Sequence, residues 1–172
     1  ITVAIGDNAG GNGQNTRSIA IGQFAGQLGQ QSDAISIGDF AGTVQQGAGA
    51  IAIGKDAGKG VFAFPPPTTN FQGANAVAIG NASGQNTQGA SAVAVGLNAG
   101  GTNQGANSVA IGGNAGNSGQ LTNAVAVGFR AGQTNQQLYG VAIGLDAGKT
   151  TQGADSIAIG RTAGQTSQGA EG

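Results

Sequence analysis

The chain contains no cysteine, histidine, methionine or tryptophan. Disulfides, thiolate nucleophiles and imidazole-based metal sites are thereby excluded. Its many serines have no histidine to serve as a base. Charged residues make up only 8% of the sequence and sum to a net charge of -1. No basic surface exists to hold nucleic acid or anionic lipid. Aromatics amount to 4%, too few for an ordinary globular core of large side chains. No apolar run approaches the length of a membrane span, so no membrane insertion is expected, and no signal peptide is visible. The first residue is Ile1 and the last residues fall inside a repeat, so a longer parent chain is expected.

What remains is glycine, 36 of 172 residues, together with valine and isoleucine at fixed places. The string Val/Ile-Ala-Val/Ile-Gly occurs ten times, once with Ser36 in place of alanine. Its glycines are Gly6, Gly22, Gly38, Gly54, Gly80, Gly96, Gly112, Gly128, Gly144 and Gly160. Every step is 16 residues except the 26 from Gly54 to Gly80. Four residues after each lies a second glycine, preceded by alanine or, once, by Ser83. A glutamine column keeps the same register: Gln14, Gln30, Gln46, Gln72, Gln88, Gln104, Gln120, Gln136, Gln152 and Gln168.

Sixteen residues are too few for a helix pair but enough for two short strands and two turns. The segment 108–112, Ser-Val-Ala-Ile-Gly, alternates small and large residues with strand periodicity. The predicted fold is all-β: a parallel β-solenoid, or β-roll, of ten 16-residue coils. It forms one repeat domain over 1–172 with an inserted loop at 61–70. Like residues stack as ladders about 4.8 Å apart, giving a rod roughly 50 Å long. Valine and isoleucine are expected to face into the coil, with alanine and serine facing out. The glutamines are expected to form an amide-to-amide ladder.

An outward alanine stripe would be flat and mildly apolar. Ala78, Ala94, Ala110, Ala126 and Ala142 are therefore expected to form an oligomer interface around a threefold axis. Bulky residues just after the first glycine, Phe24, Phe40, Leu97, Phe129 and Leu145, are expected to pack between chains. The insertion carries Phe62, Phe64, Pro65, Pro66 and Pro67, with Phe71 close by. Three consecutive prolines favour a stiff polyproline II segment. These six residues are the candidate contact for a partner, although exposed phenylalanine is more often covered by its own protein.

Other patterns carry less. The segment 144–150, Gly-Leu-Asp-Ala-Gly-Lys-Thr, imitates a phosphate-binding loop, but it is one residue short and no helix is expected after it. Asp7 and Asp39 share a column with Gln23 between them, which supports no paired-carboxylate site. Asn81-Ala82-Ser83 fits a glycosylation sequon weakly. A column of Thr102, Thr134, Thr150 and Thr166 is broken by Asn12, Leu28, Val44, Asn86 and Ser118.

The segments 108–112 and 156–160, Ser-Val-Ala-Ile-Gly and Ser-Ile-Ala-Ile-Gly, resemble the head repeats of YadA-like trimeric autotransporter adhesins. Similar 16-residue arrays occur in fibre and surface proteins of large DNA viruses and phages. The resemblance implies a left-handed roll, three chains side by side and a role in attachment. The repeats of that family are slightly shorter, and fixed Ala-Gly and glutamine columns are not its hallmark. The expected function is a structural or adhesive segment of an extracellular fibre on a virion or bacterial surface, not an enzyme, with no cofactor. Expected partners are copies of the chain and a host receptor, glycan or capsid protein. The alternatives are an architectural capsid or cementing component and an ice-binding solenoid.

Overall fold

A computed structural model describes residues 1–63 and 68–171, with 62, 63 and 68–70 as backbone only. Ten three-residue strands pair in parallel, in chain order, in one sheet. They are Val3–Ile5, Ile19–Ile21, Ile35–Ile37, Ile51–Ile53, Val77–Ile79, Val93–Val95, Val109–Ile111, Val125–Val127, Val141–Ile143 and Ile157–Ile159, and the coils are numbered by them. Register is that of the repeat: Val109 lies beside Val93 on one side and Val125 on the other. Among the described residues there is no helix. The chain is a β-solenoid.

A second, narrower face is built from Asn86–Gln88 beside Thr102–Gln104, and from Thr134–Gln136, Thr150–Gln152 and Thr166–Gln168. Ser118 bridges the two groups. The insertion leaves the stack at coil 4 as an antiparallel pair, Val61–Ala63 against Thr68–Asn70. The coils close over it undisturbed: Ile51–Ile53 still pairs with Val77–Ile79, and Gln46 still bridges to Gln72.

The side-chain orientation reverses the expectation from sequence. The alanines of the strands face inward, and Ala78, Ala94, Ala110, Ala126 and Ala142 are all 0% exposed. Valine and isoleucine face outward, with Ile79, Ile111 and Ile143 at 38%, 40% and 38% exposure. The reason is the thinness of the coil. Across the interior, each strand alanine meets the second glycine of its coil. A Cβ added to Gly100 would lie 3.2 Å from the Cβ of Ala94. No branched side chain fits such a gap at interior packing density. The alanine preceding each second glycine fills the rest, as with Ala99, Ala115 and Ala131.

Closing a coil in sixteen residues takes five backbone positions with positive φ. In coil 6 these are Gly96 (128°), Asn98 (53°), Gly100 (54°), Asn103 (54°) and Asn107 (55°). The last four are left-handed helical, where asparagine is tolerated. The first lies where only glycine rests easily. A Cβ on Gly96 would also sit 2.8 Å from the carbonyl carbon of Gly112 in the next coil. Column and neighbour together make that glycine irreplaceable.

Gly96→Ala is expected to cost more than about 3 kcal/mol, the joint effect of a disfavoured φ and a backbone clash. At Thr151, φ is 52°, strained for a β-branched residue, while Asn103 and Asn135 occupy the same place in coils 6 and 8. Thr151→Asn should therefore raise stability by about 1 kcal/mol. Urea unfolding of the two variants tests both signs. Deleting 61–70 should leave the circular dichroism and the cooperativity of that transition intact.

Candidate functional site

Two features of the stack are chemically distinctive: the buried amide row inside and the apolar sheet outside.

Gln30, Gln46, Gln72, Gln88, Gln104, Gln120, Gln136 and Gln152 are the largest fully buried side chains of the described residues. Gln14 and Gln168, in the end coils, are less buried. Each side chain lies over the second glycine of its coil, so that a Cβ on Gly116 would be 2.6 Å from Gln120 Oε1. Gln120 Nε2 donates to the carbonyls of Val109 (2.8 Å) and Ala124 (3.3 Å). These carbonyls belong to the strand and to the turn before the next strand. The amide thus ties together the two sides of the coil. The same Nε2 donates to Gln136 Oε1 in the next coil at 3.1 Å.

The amide-to-amide run is discontinuous. Links join Gln30 to Gln46, Gln72 to Gln88, and Gln104 through Gln120 and Gln136 to Gln152. Among the described residues, the Oε1 atoms of Gln30, Gln72, Gln104 and Gln168 are buried without a hydrogen-bond partner. Each follows a glutamine, Gln14, Gln46, Gln88 or Gln152, whose Nε2 donates to two carbonyls and makes no link onward. Gln30, Gln72, Gln120 and Gln136 make two carbonyl bonds and the link as well, so the carbonyl bonds are the constant feature and the link between coils is intermittent. Ser36 shows the use of this polarity. It stands buried in the alanine column and donates to Gln46 Oε1 at 2.6 Å.

On the outside, every outward position of the ten main strands is valine or isoleucine. The two rows run about 43 Å, nine steps of about 4.8 Å. Two corner turns bound the sheet, closed for example by Ala92 N–H to Gly89 O before a strand and Ala99 N–H to Gly96 O after one. The opposite face is polar. From coil 5 to coil 10 it presents Asn86, Thr102, Ser118, Thr134, Thr150 and Thr166 in one column. The apolar interruptions Leu28 and Val44 lie on the far side of the hairpin, in coils 2 and 3.

The remaining sequence candidates fall in several places. Phe24 and Phe40 stack on one another within the chain, 4.9 Å between centroids, with Lys59 4.8 Å over Phe40. Leu97, Phe129 and Leu145 are exposed at a corner. The side chains of Phe62, Phe64, Pro65, Pro66 and Pro67 lie outside the described residues. Phe71 is exposed and borders a groove of about 350 Å³ with Gln31 and Gln45. A second groove, about 490 Å³, opens beside the hairpin and is lined by Phe40, Thr43, Val44, Lys59, Val61 and Gln85 among others. Lys149, in the loop resembling a phosphate site, lies 3.8 Å from Asp146, which Arg130 holds at 2.7 Å. The Ser83 hydroxyl of the sequon is buried and donates to Gly80 O. Gln23 separates Asp7 from Asp39 and donates to Asp7 at 3.5 Å. Among the described residues, no three His, Cys, Asp or Glu side chains gather as a metal site. Hydrogen bonds from the Arg17 guanidinium hold the exposed Asp33 carboxyl below its ordinary range.

No protein-family model, curated protein or solved structure matches the chain.

The glutamine row yields a pH-dependent test. Gln120→Ala removes the amide's hydrogen bonds to Val109 O and Ala124 O, the latter still held by Val109 N–H, and leaves a void, at an expected cost of about 2–4 kcal/mol. In Gln120→Glu, burial raises the carboxyl pKa above its unfolded value near 4.3. The acid form, which can still donate one hydrogen bond, keeps its stability below about pH 4. That stability is lost as pH rises through the folded pKa. Urea titrations should show the variant below wild type at pH 4, by the hydrogen bonds a single O–H cannot replace, and much further below it at pH 7.

Proposed function

We propose that this chain is a non-enzymatic structural segment, a shaft or head of a surface fibre, in which copies pack side by side through the valine–isoleucine sheet. The carrying observation is the contrast between the two faces. Threonine has the same β-branched fit to a strand as valine. From coil 5 to coil 10 the narrow face uses threonine, asparagine and serine, as a watered surface should. The wide face uses valine or isoleucine at all twenty outward positions. A contiguous apolar surface of that extent marks an interaction site.

The partner that fits is another copy. The surface repeats every coil along the whole rod, and a second copy offers the same period over the same length. Three copies around one axis, the arrangement implied by the resemblance to YadA-like heads, would enclose all three faces and close the assembly. The alanine stripe, buried within each chain, has no part in this contact. Attachment to a receptor, glycan or capsid protein falls to the surfaces left outside, foremost the hairpin and its adjoining groove. An extracellular setting on a virion or bacterial surface follows from this reading.

Mass photometry of the chain should give about three times 16.3 kDa. Val109→Lys with Val125→Lys places two cations on adjacent strands of the face, the seventh and eighth of ten, without touching the interior. The variant should fold with unchanged circular dichroism and sediment as a monomer. A wild-type chain that is already monomeric, or a variant that still assembles, would refute the proposal.

A further inference from the structure

The geometry points to a seam between copies that fixes their direction and register: parallel and unstaggered, with Phe129 and Leu145 of one copy against Leu121, Leu138 and Tyr139 of the next. This rests on the self-association proposed above and adds to it the residues that make the contact and that set direction and level even where the copies are not three.

The sheet is bounded by two corner rows. Residues directly after each strand's closing glycine form one row, and residues two to four places before each strand form the other. In coils 8 and 9, and there together, both rows turn apolar. Leu121 precedes the strand Val125–Val127 and Phe129 follows it. Leu138 and Tyr139 precede Val141–Ile143 and Leu145 follows it. All five are exposed: Leu121 37%, Phe129 50%, Leu138 41%, Tyr139 55% and Leu145 40%. Tyr139 stands at φ 58°, an uncommon place for a bulky residue. In coils 1 to 4 the corners carry Asp7, Arg17, Gln23, Asp33, Asp39 and Lys55 instead.

Symmetry decides which rows meet. Rotation about an axis parallel to the rod brings the trailing corner of one copy to the leading corner of the next, coil for coil. Phe129 and Leu145 then face Leu121, Leu138 and Tyr139 at their own level. Arg161 faces Asp155 in coil 10. The one like-charged pairing, Asp39 with Asp33, is relieved by Arg17, which holds Asp33 at 2.6 Å.

A twofold axis across the rod brings each corner row onto itself, reversed. With full overlap, Phe129 then faces Asp39, Leu145 faces Gln23, Leu121 faces Gln31 and Tyr139 faces Arg17. Apolar side chains would be buried against groups that need water. Sliding the reversed copy until coils 8 and 9 match leaves about four strands overlapping. From corner to corner the face is about 20 Å wide and about 45 Å long, or about 900 Å². That equals what one partner contributes to a standard interface, about 800 Å²; two-fifths of it does not. Parallel, unstaggered packing alone joins full overlap with matched corners.

The absence of native cysteine makes the test direct. Phe129→Cys with Leu121→Cys places two thiols at opposite corners of the same coil of one copy, about 20 Å apart and far beyond the roughly 7 Å a disulfide spans. Under mild oxidation this variant should give disulfide-linked multimers, and each single variant should give none. Phe129→Cys with Asp39→Cys should not cross-link. Cross-linking by that second pair, or by Phe129→Cys alone, overturns the parallel seam while leaving self-association in place. So does an assembly of unchanged mass that neither pair can cross-link. If the chain is monomeric and nothing cross-links, the self-association itself fails and the seam with it.

Discussion

A buried primary amide in every coil determines what the rest of the chain can be. Two strands and two turns in sixteen residues leave an interior too thin for a hydrophobic core of ordinary side chains. The space is filled by alanine methyls and one glutamine. Reaching across the interior, that glutamine donates to two neighbouring carbonyls at the edge of the strand sheet, so its own amide is satisfied away from water and the two walls of the coil are tied together. The second glycine of each coil exists to let the amide lie flat over it. The inward alanine exists because nothing larger fits beside it.

With its interior spent on alanine and amide, the chain has its large aliphatic side chains left for the outside. This inverts the usual distribution and leaves an apolar sheet along the length of the rod. Cohesion between coils comes from the backbone ladders, the stacked aliphatic rows and the intermittent amide links. Each of these acts only between neighbours, so stability accrues coil by coil. In the assembly proposed above, further copies covering the sheet would place most of the aliphatic surface between chains.

The repeat and the parallel stacking of its coils were legible in the sequence. Recurrence of Val-Ala-Ile-Gly at a fixed period carries that information within one chain. The direction of the side chains was not. A period of two says that Val109 and Ala110 face opposite ways; it does not say which faces in. Assigning the larger residue to the interior is sound for a sheet packed on another layer and wrong for a coil narrower than an isoleucine. One available signal pointed the other way. A glutamine at the same place in every coil suits an inside position, where its amide can bond backbone carbonyls, and a buried glutamine leaves room only for alanine opposite. The apolar corners at Phe129 and Tyr139 were legible as residues but acquired meaning only once the two turns bounding the sheet were placed.

A chain that repeats itself so closely faces a difficulty in finding its own alignment. Strand 6 can pair with strand 8 almost as favourably as with strand 7, at the cost of extruding one coil. The 26-residue interval between Gly54 and Gly80 sets one step apart from all the others. A slip across that step would have to extrude or absorb the hairpin together with a coil. The insertion therefore serves as an index mark for the passage from coil 4 to coil 5, while the coils on either side of it remain interchangeable.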